Sequence, residues 1–135
     1  IAFSLIIMGG DKRRAGLLMI ASLGVEASVC NLVIKPAVGR VRPNDAHGLK
    51  ITIDRPTDYS FPSGHTAAAF AAAYSMYRSA RKPGIWMIYA ALLMGFSRVY
   101  LLVHYPMDVI AGAGLGIVSA AAVHGLYKGK RKNRG

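Results

Sequence analysis

Residues 109–127 read VIAGAGLGIVSAAAVHGLY and contain no Asp, Glu, Lys or Arg. A helix that crosses a bilayer needs about 20 mostly apolar residues, and this stretch meets that length. It is rich in Gly and Ala, with Gly112 and Gly116 in the small-xxx-small spacing that lets membrane helices approach closely. A helix on the surface of a soluble bundle would instead carry charge on its outer face every turn or two. The stretch therefore predicts a transmembrane helix.

Three further segments share this character, so the chain is predicted to be an all-α, polytopic transmembrane helical bundle. The four full spans are residues 15–34, 65–80, 84–103 and 108–127. Residues 1–10 resemble the end of another span, and the absence of an initiator Met suggests a chain truncated or processed upstream. No repeat or flexible linker interrupts residues 1–135, which predicts a single membrane-embedded domain ending in a basic tail at 128–135.

The composition combines 53% hydrophobic residues with a net charge of +11. So apolar a chain is not disordered, and one cysteine, Cys30, cannot staple a disulfide domain. A nucleic-acid binder is disfavoured because the cations fall into separate clusters between apolar segments and no recognition module is present. Membrane lipids, and no nucleic acid, are therefore the expected surroundings. The sequence does not indicate an oligomeric state.

The cations also predict an orientation, because Lys and Arg are enriched in cytoplasmic loops. One side of the predicted bundle carries eleven of them and the other carries six. The richer side includes the tail, so we expect an integral protein of a bacterial cell membrane with a cytoplasmic tail. The poorer side, which is then extracytoplasmic, carries Lys35, Arg40, Arg42, Lys50, Arg55 and Arg98.

Three local patterns carry polar chemistry on that poorer side. The first is Lys35-Pro-Ala-Val-Gly-Arg-Val-Arg42-Pro43, at the end of the first full span. The second is Pro-Ser-Gly-His at 62–65, and the third combines Ser97-Arg98 with His104 and Asp108. A long polar loop separates the first two, and two crossings separate the second from the third. All three patterns are therefore expected at one face of the membrane.

The residue types suit phosphoryl chemistry. Lys35, Arg42 and Arg98 form a cationic cluster for an anion with several oxygens. Ser63 and Gly64 open a helix, whose free amide groups and positive dipole end attract phosphate. In the last pattern, Asp108 is expected to hydrogen-bond one imidazole nitrogen of His104 and leave the other as a nucleophile. His65 approaches from the opposite loop and is expected to protonate a leaving oxygen.

Together the patterns resemble the three-part signature of the phosphatidic acid phosphatase type 2 superfamily, and the resemblance covers about residues 15–127. It implies a phosphatase without metal or cofactor that proceeds through a phosphohistidine on His104, supported by Asp108. His65 would be the general acid, with Lys35, Arg42, Ser63, Gly64 and Arg98 holding the phosphoryl oxygens. The family's core has six helices, whereas this sequence predicts four full spans and a fragment, which puts the N-terminal part of the lipid-facing wall in doubt but not the chemistry.

The expected substrate is a lipid phosphate: phosphatidate, phosphatidylglycerophosphate or undecaprenyl pyrophosphate, the last of which suits an outward-facing site. Two alternatives stay open. A non-catalytic membrane protein that binds or transports lipid phosphates would share the fold. A vanadium haloperoxidase would share the anion site, but such enzymes are soluble and much larger.

Other polar residues were given structural interpretations. Arg40 is expected to be a solvated charge, and Glu26, inside the first full span, a structural hydrogen-bonding group. Cys30 is expected to be a small buried hydrophobe, and His47 and His124 a loop and an interface residue. The irregular spacing of Asp45, Asp54 and Asp58 predicts solvated acids rather than a metal site. Residues 51–53 form at most a short extended piece.

Overall fold

A computed structural model describes residues 1–7, 9–50 and 56–132, and within them it contains helices and no strand. The all-helical prediction is confirmed. Four long helices correspond to the four predicted spans, and three short ones lie at the N terminus and around the first motif. In chain order the helices are α1 (Ala2–Ile7), α2 (Gly10–Ser28), α3 (Lys35–Val38), α4 (Pro43–Ala46), α5 (Gly64–Ser79), α6 (Arg81–Tyr100) and α7 (Pro106–Lys132).

The first motif is carried on a continuous helical rod. α2 passes into a π-helical segment, Val29–Ile34, which passes directly into α3. The rod ends at Gly39, whose φ of 61° is in the left-handed region that glycine adopts without strain. π-helical turns are rare in proteins, and those that occur are often found at functional sites. The segment just before Lys35 is therefore unusual.

Helix α5 lies at the centre and packs against α2, α6 and α7. Its contact with α7 depends on the two glycines of the small-xxx-small pattern. A Cβ on Gly112 would lie 2.5 Å from the carbonyl oxygen of Ser63, and one on Gly116 would overlap the carbonyl oxygen of Ala67. The predicted close approach of helices is therefore present, and α5 and α7 meet through backbone.

The outer surface of the bundle is apolar. Two segments, Gly10–Ala46 and Pro106–Lys130, are long and apolar enough to cross a membrane, and only 22% of the most apolar part of each is buried inside the protein. Large side chains such as Trp86, Leu93 and Phe96 face outward with about 70% of their surface exposed. A soluble core helix would bury these groups, so the exterior indicates a lipid environment.

The number of spans remains a prediction. α5 has 16 residues and is about 24 Å long, whereas α6 has 20 residues and reaches about 30 Å. At the N terminus, α1 packs against α2 near Gly16. Residues 51–53, the expected extended piece, lie outside the described residues.

Two helices extend beyond their predicted limits. α2 begins at Gly10 and includes the basic run 12–14, and α7 continues through the first residues of the predicted basic tail to Lys132. Lys and Arg are good helix formers, and cations near a helix C terminus interact favourably with its dipole. Apolar run length therefore underestimated the helices.

Candidate active site

The three motifs meet at one cavity of about 360 Å³. Lys35, at the start of α3, and Arg42, which directly precedes α4, both line this cavity. The other motif residues in its wall come from the first turn of α5, the last turn of α6 and the α6–α7 loop. Six sequence-predicted residues line the cavity: Lys35, Arg42, Gly64, His65, Arg98 and His104.

Asp58 occupies the space between two of the cations. Its carboxylate contacts Lys35 Nζ through one oxygen, and the other lies 2.6 Å from Arg42 Nη2. Arg42 Nε also donates to the Asp58 carbonyl oxygen at 2.9 Å. Partial burial acts to raise the pKa of Asp58, but hydrogen bonds and charge from Lys35 and Arg42 outweigh it and lower the pKa to about 2. The prediction of a solvated Asp58 is therefore wrong.

This pairing has a clear electrostatic reason. Lys35 and Arg42 are 6% and 5% exposed, and buried cations without an anion are costly. Asp58 supplies the anion from a half-exposed position at the cavity edge. Sequence spacing gave no signal for this contact, because Asp58 lies 23 residues from Lys35 in an irregular loop.

Arg98 is the cation of the cluster that has no carboxylate beside it in the described part of the chain. Its Nε lies 3.3 Å from the neighbouring Ser97 Oγ, and its side chain reaches the cavity wall. Its carbonyl oxygen accepts the amide groups of Val103 and His104, at 3.2 and 3.3 Å. Arg98 thus presents a guanidinium to the cavity while its backbone holds the loop that carries His104.

His104 lies in the α6–α7 loop with 3% of its surface exposed. Arg42 Nη1 is 3.1 Å from its Nε2. Since a guanidinium has no acceptor, Nε2 must accept this bond, so the ring proton is assigned to Nδ1. Burial, followed by the Arg42 charge, lowers the pKa of His104 to about 4, against smaller opposing effects of the Ser60 backbone and Asp108. His104 is thus neutral, with the lone pair of Nε2 on the Arg42 side.

The predicted direct hydrogen bond from His104 Nδ1 to Asp108 is absent. Asp108 Oδ2 is 3.7 Å from His104 Nδ1, beyond hydrogen-bond distance. The hydroxyl of Ser60 lies beside the pair and contacts both, 2.5 Å from Asp108 Oδ2 and 3.4 Å from His104 Nδ1. Ser60, fully buried, is a site residue that sequence reasoning missed, although it directly precedes the Phe-Pro-Ser-Gly-His run.

Asp108 is held by two further donors. Arg40 Nη1 lies 2.8 Å from its Oδ1, and the amide of Tyr105 donates to its Oδ2 at 2.9 Å. The Arg40 guanidinium also stacks over the Tyr105 ring, 4.5 Å from its centre. Arg40 is therefore not the solvated charge that was expected, because it pairs with a fully buried carboxylate.

The start of α5 is arranged differently from the prediction for Ser63. Its hydroxyl pairs with Thr66 Oγ1 at 2.9 Å and its amide donates to the Asp108 carbonyl oxygen, so the buried side chain does not line the cavity. Gly64 does line it, and a Cβ there would lie 3.7 Å from Lys35 Nζ. Amide groups of a first helical turn have no intrahelical partner, so this end of α5 can face an anion.

Glu26 lies in the same cavity wall, 2% exposed, and its Oε1 has no hydrogen-bond partner in the described part of the protein. The expected structural hydrogen bonding is therefore missing at that oxygen. Asn31, which the sequence did not single out, lines the wall nearby.

The remaining polar residues behave mostly as expected. Cys30 is fully buried, and His124 packs edge-on against Tyr74 at an interface between α5 and α7. His47 is exposed at the end of α4. Asp45 accepts a hydrogen bond from Asn44, and Asp54 lies outside the described residues. The described residues contain no group of three or more His, Cys, Asp or Glu side chains that could hold a metal.

The chain is similar to several known phosphatases. The undecaprenyl-diphosphatase BcrC of Bacillus subtilis is 32% identical over 87% of this chain and 64% of its own length. A crystal structure of a transmembrane PAP2-type phosphatidylglycerolphosphate phosphatase from Bacillus subtilis superimposes with a TM-score of 0.69 at 32% identity, covering 84% of this chain and 59% of that one. The crystal structure of Aquifex aeolicus LpxE superimposes with a TM-score of 0.75 at 27% identity, covering 90% of this chain and 72% of that one.

The chain spans only part of the length of these relatives: it covers 64% and 55% of two undecaprenyl-diphosphatases. Within that length, the profile of the PAP2 superfamily matches residues 15–132, which include all three motifs and the whole cavity. The chain belongs to the PAP2 superfamily.

Proposed function

We propose that this protein is an integral membrane lipid phosphatase that hydrolyses a phosphomonoester or diphosphate through a phosphohistidine. One observation carries the proposal: Lys35, Arg42 and Arg98 line the same cavity as His65 and a neutral His104. Three cations suit the oxygens of a phosphoryl group, and a neutral imidazole whose Nε2 carries a lone pair suits attack on phosphorus once Arg42 turns to the substrate.

In the first step, His104 Nε2 attacks phosphorus as the bond from phosphorus to the leaving oxygen breaks. His65 donates a proton to that oxygen, so the lipid alcohol or lipid phosphate departs neutralised. The substrate takes over Arg42 from His104 Nε2 and from Asp58, which frees the nucleophile's lone pair. Negative charge on the equatorial oxygens is then balanced by Lys35, Arg42 and Arg98.

In the second step, water attacks the phosphorus of the phosphohistidine. His65, now deprotonated, accepts a proton from that water, and the P–N bond to His104 breaks. That proton restores His65 to its starting state, inorganic phosphate leaves, and the cycle closes. Because the charged oxygens are balanced by side chains and the helix start at Gly64, the scheme uses no metal ion or cofactor.

The proposed substrates are phosphatidate, phosphatidylglycerophosphate and undecaprenyl pyrophosphate. Relatives named as undecaprenyl-diphosphatases and as a phosphatidylglycerophosphatase support this range. The cavity continues from the cations to Ala27 and Ala68, small apolar residues on α2 and α5, which suits the first part of a lipid chain. The proposed site faces the extracytoplasmic side of a bacterial membrane, with the C-terminal end of α7 in the cytoplasm.

The test is a comparison of kcat/KM for these three lipids and lysophosphatidate, with purified protein in detergent and with EDTA present. Hydrolysis of at least one lipid that persists in EDTA supports the proposal, and loss of activity in EDTA contradicts the metal-free scheme. Binding of the lipids without release of phosphate would support a non-catalytic lipid-phosphate-binding protein instead.

The nucleophile is tested by phosphoenzyme trapping with ³²P-labelled substrate. His104→Ala is expected to abolish both turnover and the acid-labile phosphoenzyme. The matched control is His47→Ala, an exposed histidine outside the cavity, which should retain both. Near-normal hydrolysis by His104→Ala would contradict the assignment of the nucleophile.

A further inference from the structure

Behind His104 lies a chain of hydrogen bonds that the three motifs do not describe. The His104 ring proton, assigned to Nδ1, points toward Ser60 Oγ at 3.4 Å. Ser60 Oγ donates its own proton to Asp108 Oδ2 at 2.5 Å, since an ionised carboxylate only accepts. Oδ1 of the same carboxylate accepts from Arg40 Nη1 at 2.8 Å. The sequence of contacts is therefore imidazole, hydroxyl, carboxylate and guanidinium.

Burial makes each link of this chain important. Ser60 and Asp108 are completely buried, and His104 is 3% exposed. A fully buried carboxylate is costly unless it is paired and hydrogen-bonded, and Arg40, Ser60 and the Tyr105 amide are the donors that the described residues offer. Arg40 is partly exposed, but its stacking on Tyr105 at 4.5 Å limits the directions from which it can reach Asp108.

We propose that Ser60 and Arg40 are positioning residues for the nucleophile. Ser60 connects His104 to Asp108 on the Nδ1 side of the ring, opposite Arg42, and Arg40 holds and neutralises the Asp108 carboxylate. This inference rests on the proposed function, because it assigns how the nucleophile of that reaction is oriented. Neither residue reaches the cavity wall, so neither touches the substrate.

The charge on Arg40 has a separate consequence for protonation. The groups that face His104 are Arg42 at Nε2, Ser60 and Asp108 at Nδ1, and Lys35 across the cavity, with Asp58 bound to both cations. Asp108 favours the charged imidazolium, and Arg40 offsets that effect because it pairs with Asp108. Removal of the Arg40 charge is therefore expected to raise the pH at which His104 takes up a proton.

The experiment compares Arg40→Gln and Arg40→Lys with the wild type, using full-length protein in detergent. The chain has four histidines, so ¹⁵N-labelled histidine gives a spectrum in which the His104 signal is identified by its loss in His104→Ala. Arg40→Gln should move the His104 titration to higher pH, whereas Arg40→Lys, which keeps the charge, should stay near the wild type. Arg14→Gln is the matched control, because Arg14 also stacks on a tyrosine, Tyr127, outside this cavity.

The control for Ser60→Ala is Ser75→Ala. Ser75 is also a fully buried serine, and its hydroxyl donates to the hydroxyl of Ser22 where α5 packs against α2. Ser60→Ala should shift the ¹⁵N resonance of His104 Nδ1, because the hydroxyl that contacts this nitrogen is lost while Arg42 still holds Nε2. Ser60→Cys keeps a side chain of similar shape with a weak donor and should fall between serine and alanine. Ser75→Ala should leave the His104 signal unchanged.

Kinetics with dioctanoyl phosphatidate provide the second readout. Arg40→Gln and Ser60→Ala should lower kcat by about 10- to 100-fold, the effect of losing one hydrogen bond to a charged group, with KM changed far less. Unaltered His104 titration, an unaltered Nδ1 resonance and kcat within about twofold of the controls would overturn the inference. An inactive wild type would instead contradict the proposed function, and the ¹⁵N spectra would still test the positioning network.

Discussion

The guanidinium of Arg42 lies 3.1 Å from Nε2 of His104, so a cation that can bind phosphate also caps the proposed nucleophile. The same guanidinium donates to the carbonyl oxygen of Val103 at 2.8 Å and to Asp58, which fixes its plane beside the imidazole. A positive charge so close opposes protonation of His104. The arrangement keeps the histidine neutral, and in the mechanism proposed above its lone pair is released when an anion binds Arg42.

This relationship predicts that His104 becomes protonated only at unusually low pH. Its pKa lies near 4 rather than at the ordinary value of 6.5, so the neutral ring persists at all higher pH and is lost only as pH falls through about 4. The His104 ¹⁵N signal should therefore titrate near pH 4 in the wild type. In Arg42→Gln it should titrate at higher pH, because one charge that disfavours the imidazolium is gone. A wild-type midpoint near 6.5 would contradict the structure around this ring.

Asp58 is expected to compete with phosphate for Lys35 and Arg42. Its pKa of about 2 keeps it ionised at any working pH. Asp58→Asn removes that charge, so inorganic phosphate and vanadate should inhibit hydrolysis at several-fold lower concentration, about threefold to tenfold given the solvent exposure of this pair. The control is Asp11→Asn, an exposed acid near the opposite end of the bundle that pairs only loosely with Arg14. Equal inhibition constants for wild type and Asp58→Asn would argue against competition.

The role of His65 is tested through the leaving group. His65→Ala should slow hydrolysis of phosphatidate, whose alkoxide is a poor leaving group, by about 10²- to 10⁴-fold. Hydrolysis of p-nitrophenyl phosphate should be affected much less, because that oxygen leaves without a proton. The measurement is kcat for both substrates with wild type, His65→Ala and the His47→Ala control. Equal losses for the two substrates would exclude His65 as the general acid.

Gly112 is expected to be intolerant of a side chain. A Cβ there would lie 2.5 Å from the carbonyl oxygen of Ser63, and the amide of Ser63 donates a hydrogen bond to the carbonyl oxygen of Asp108. Gly112→Ala should push α7 from α5, lower thermal stability in detergent by about 1–3 kcal/mol and reduce activity. Gly114→Ala, in the same helix with nothing within 4 Å of its Cβ, should be neutral or slightly stabilising. Similar melting temperatures for the two variants would contradict this packing.

The orientation in the membrane is tested by thiol labelling in intact cells. Cys30 is the only cysteine and is buried, so its background should be small. A cysteine at Lys50 should react with an impermeant reagent from outside, and one at Lys128 only after permeabilisation. The reverse pattern would place the proposed site in the cytoplasm.

The helices were largely predictable because each depends on a local property. Long, mostly uncharged runs identified α5, α6 and the start of α7 to within a few residues, since a lipid-facing helix needs apolar side chains along its length. The ends of α2 and α7 were missed, because Lys and Arg prolong a helix into water as readily as apolar residues prolong it in lipid. The length of an apolar run therefore indicates the part of a helix that lies in lipid rather than the full length of the helix.

The sequence by itself determined the apolar helices, the common face of the three motifs and the identity of six cavity-lining residues, since these follow from spacing and topology. Only the tertiary structure decided the partners: Asp58 between Lys35 and Arg42, Ser60 in contact with His104 and Asp108, and Arg40 on Asp108. These contacts join residues far apart in the chain through irregular loops that have no periodicity. Burial selects them, because a charge removed from water is stable only where the folded loops bring it a partner.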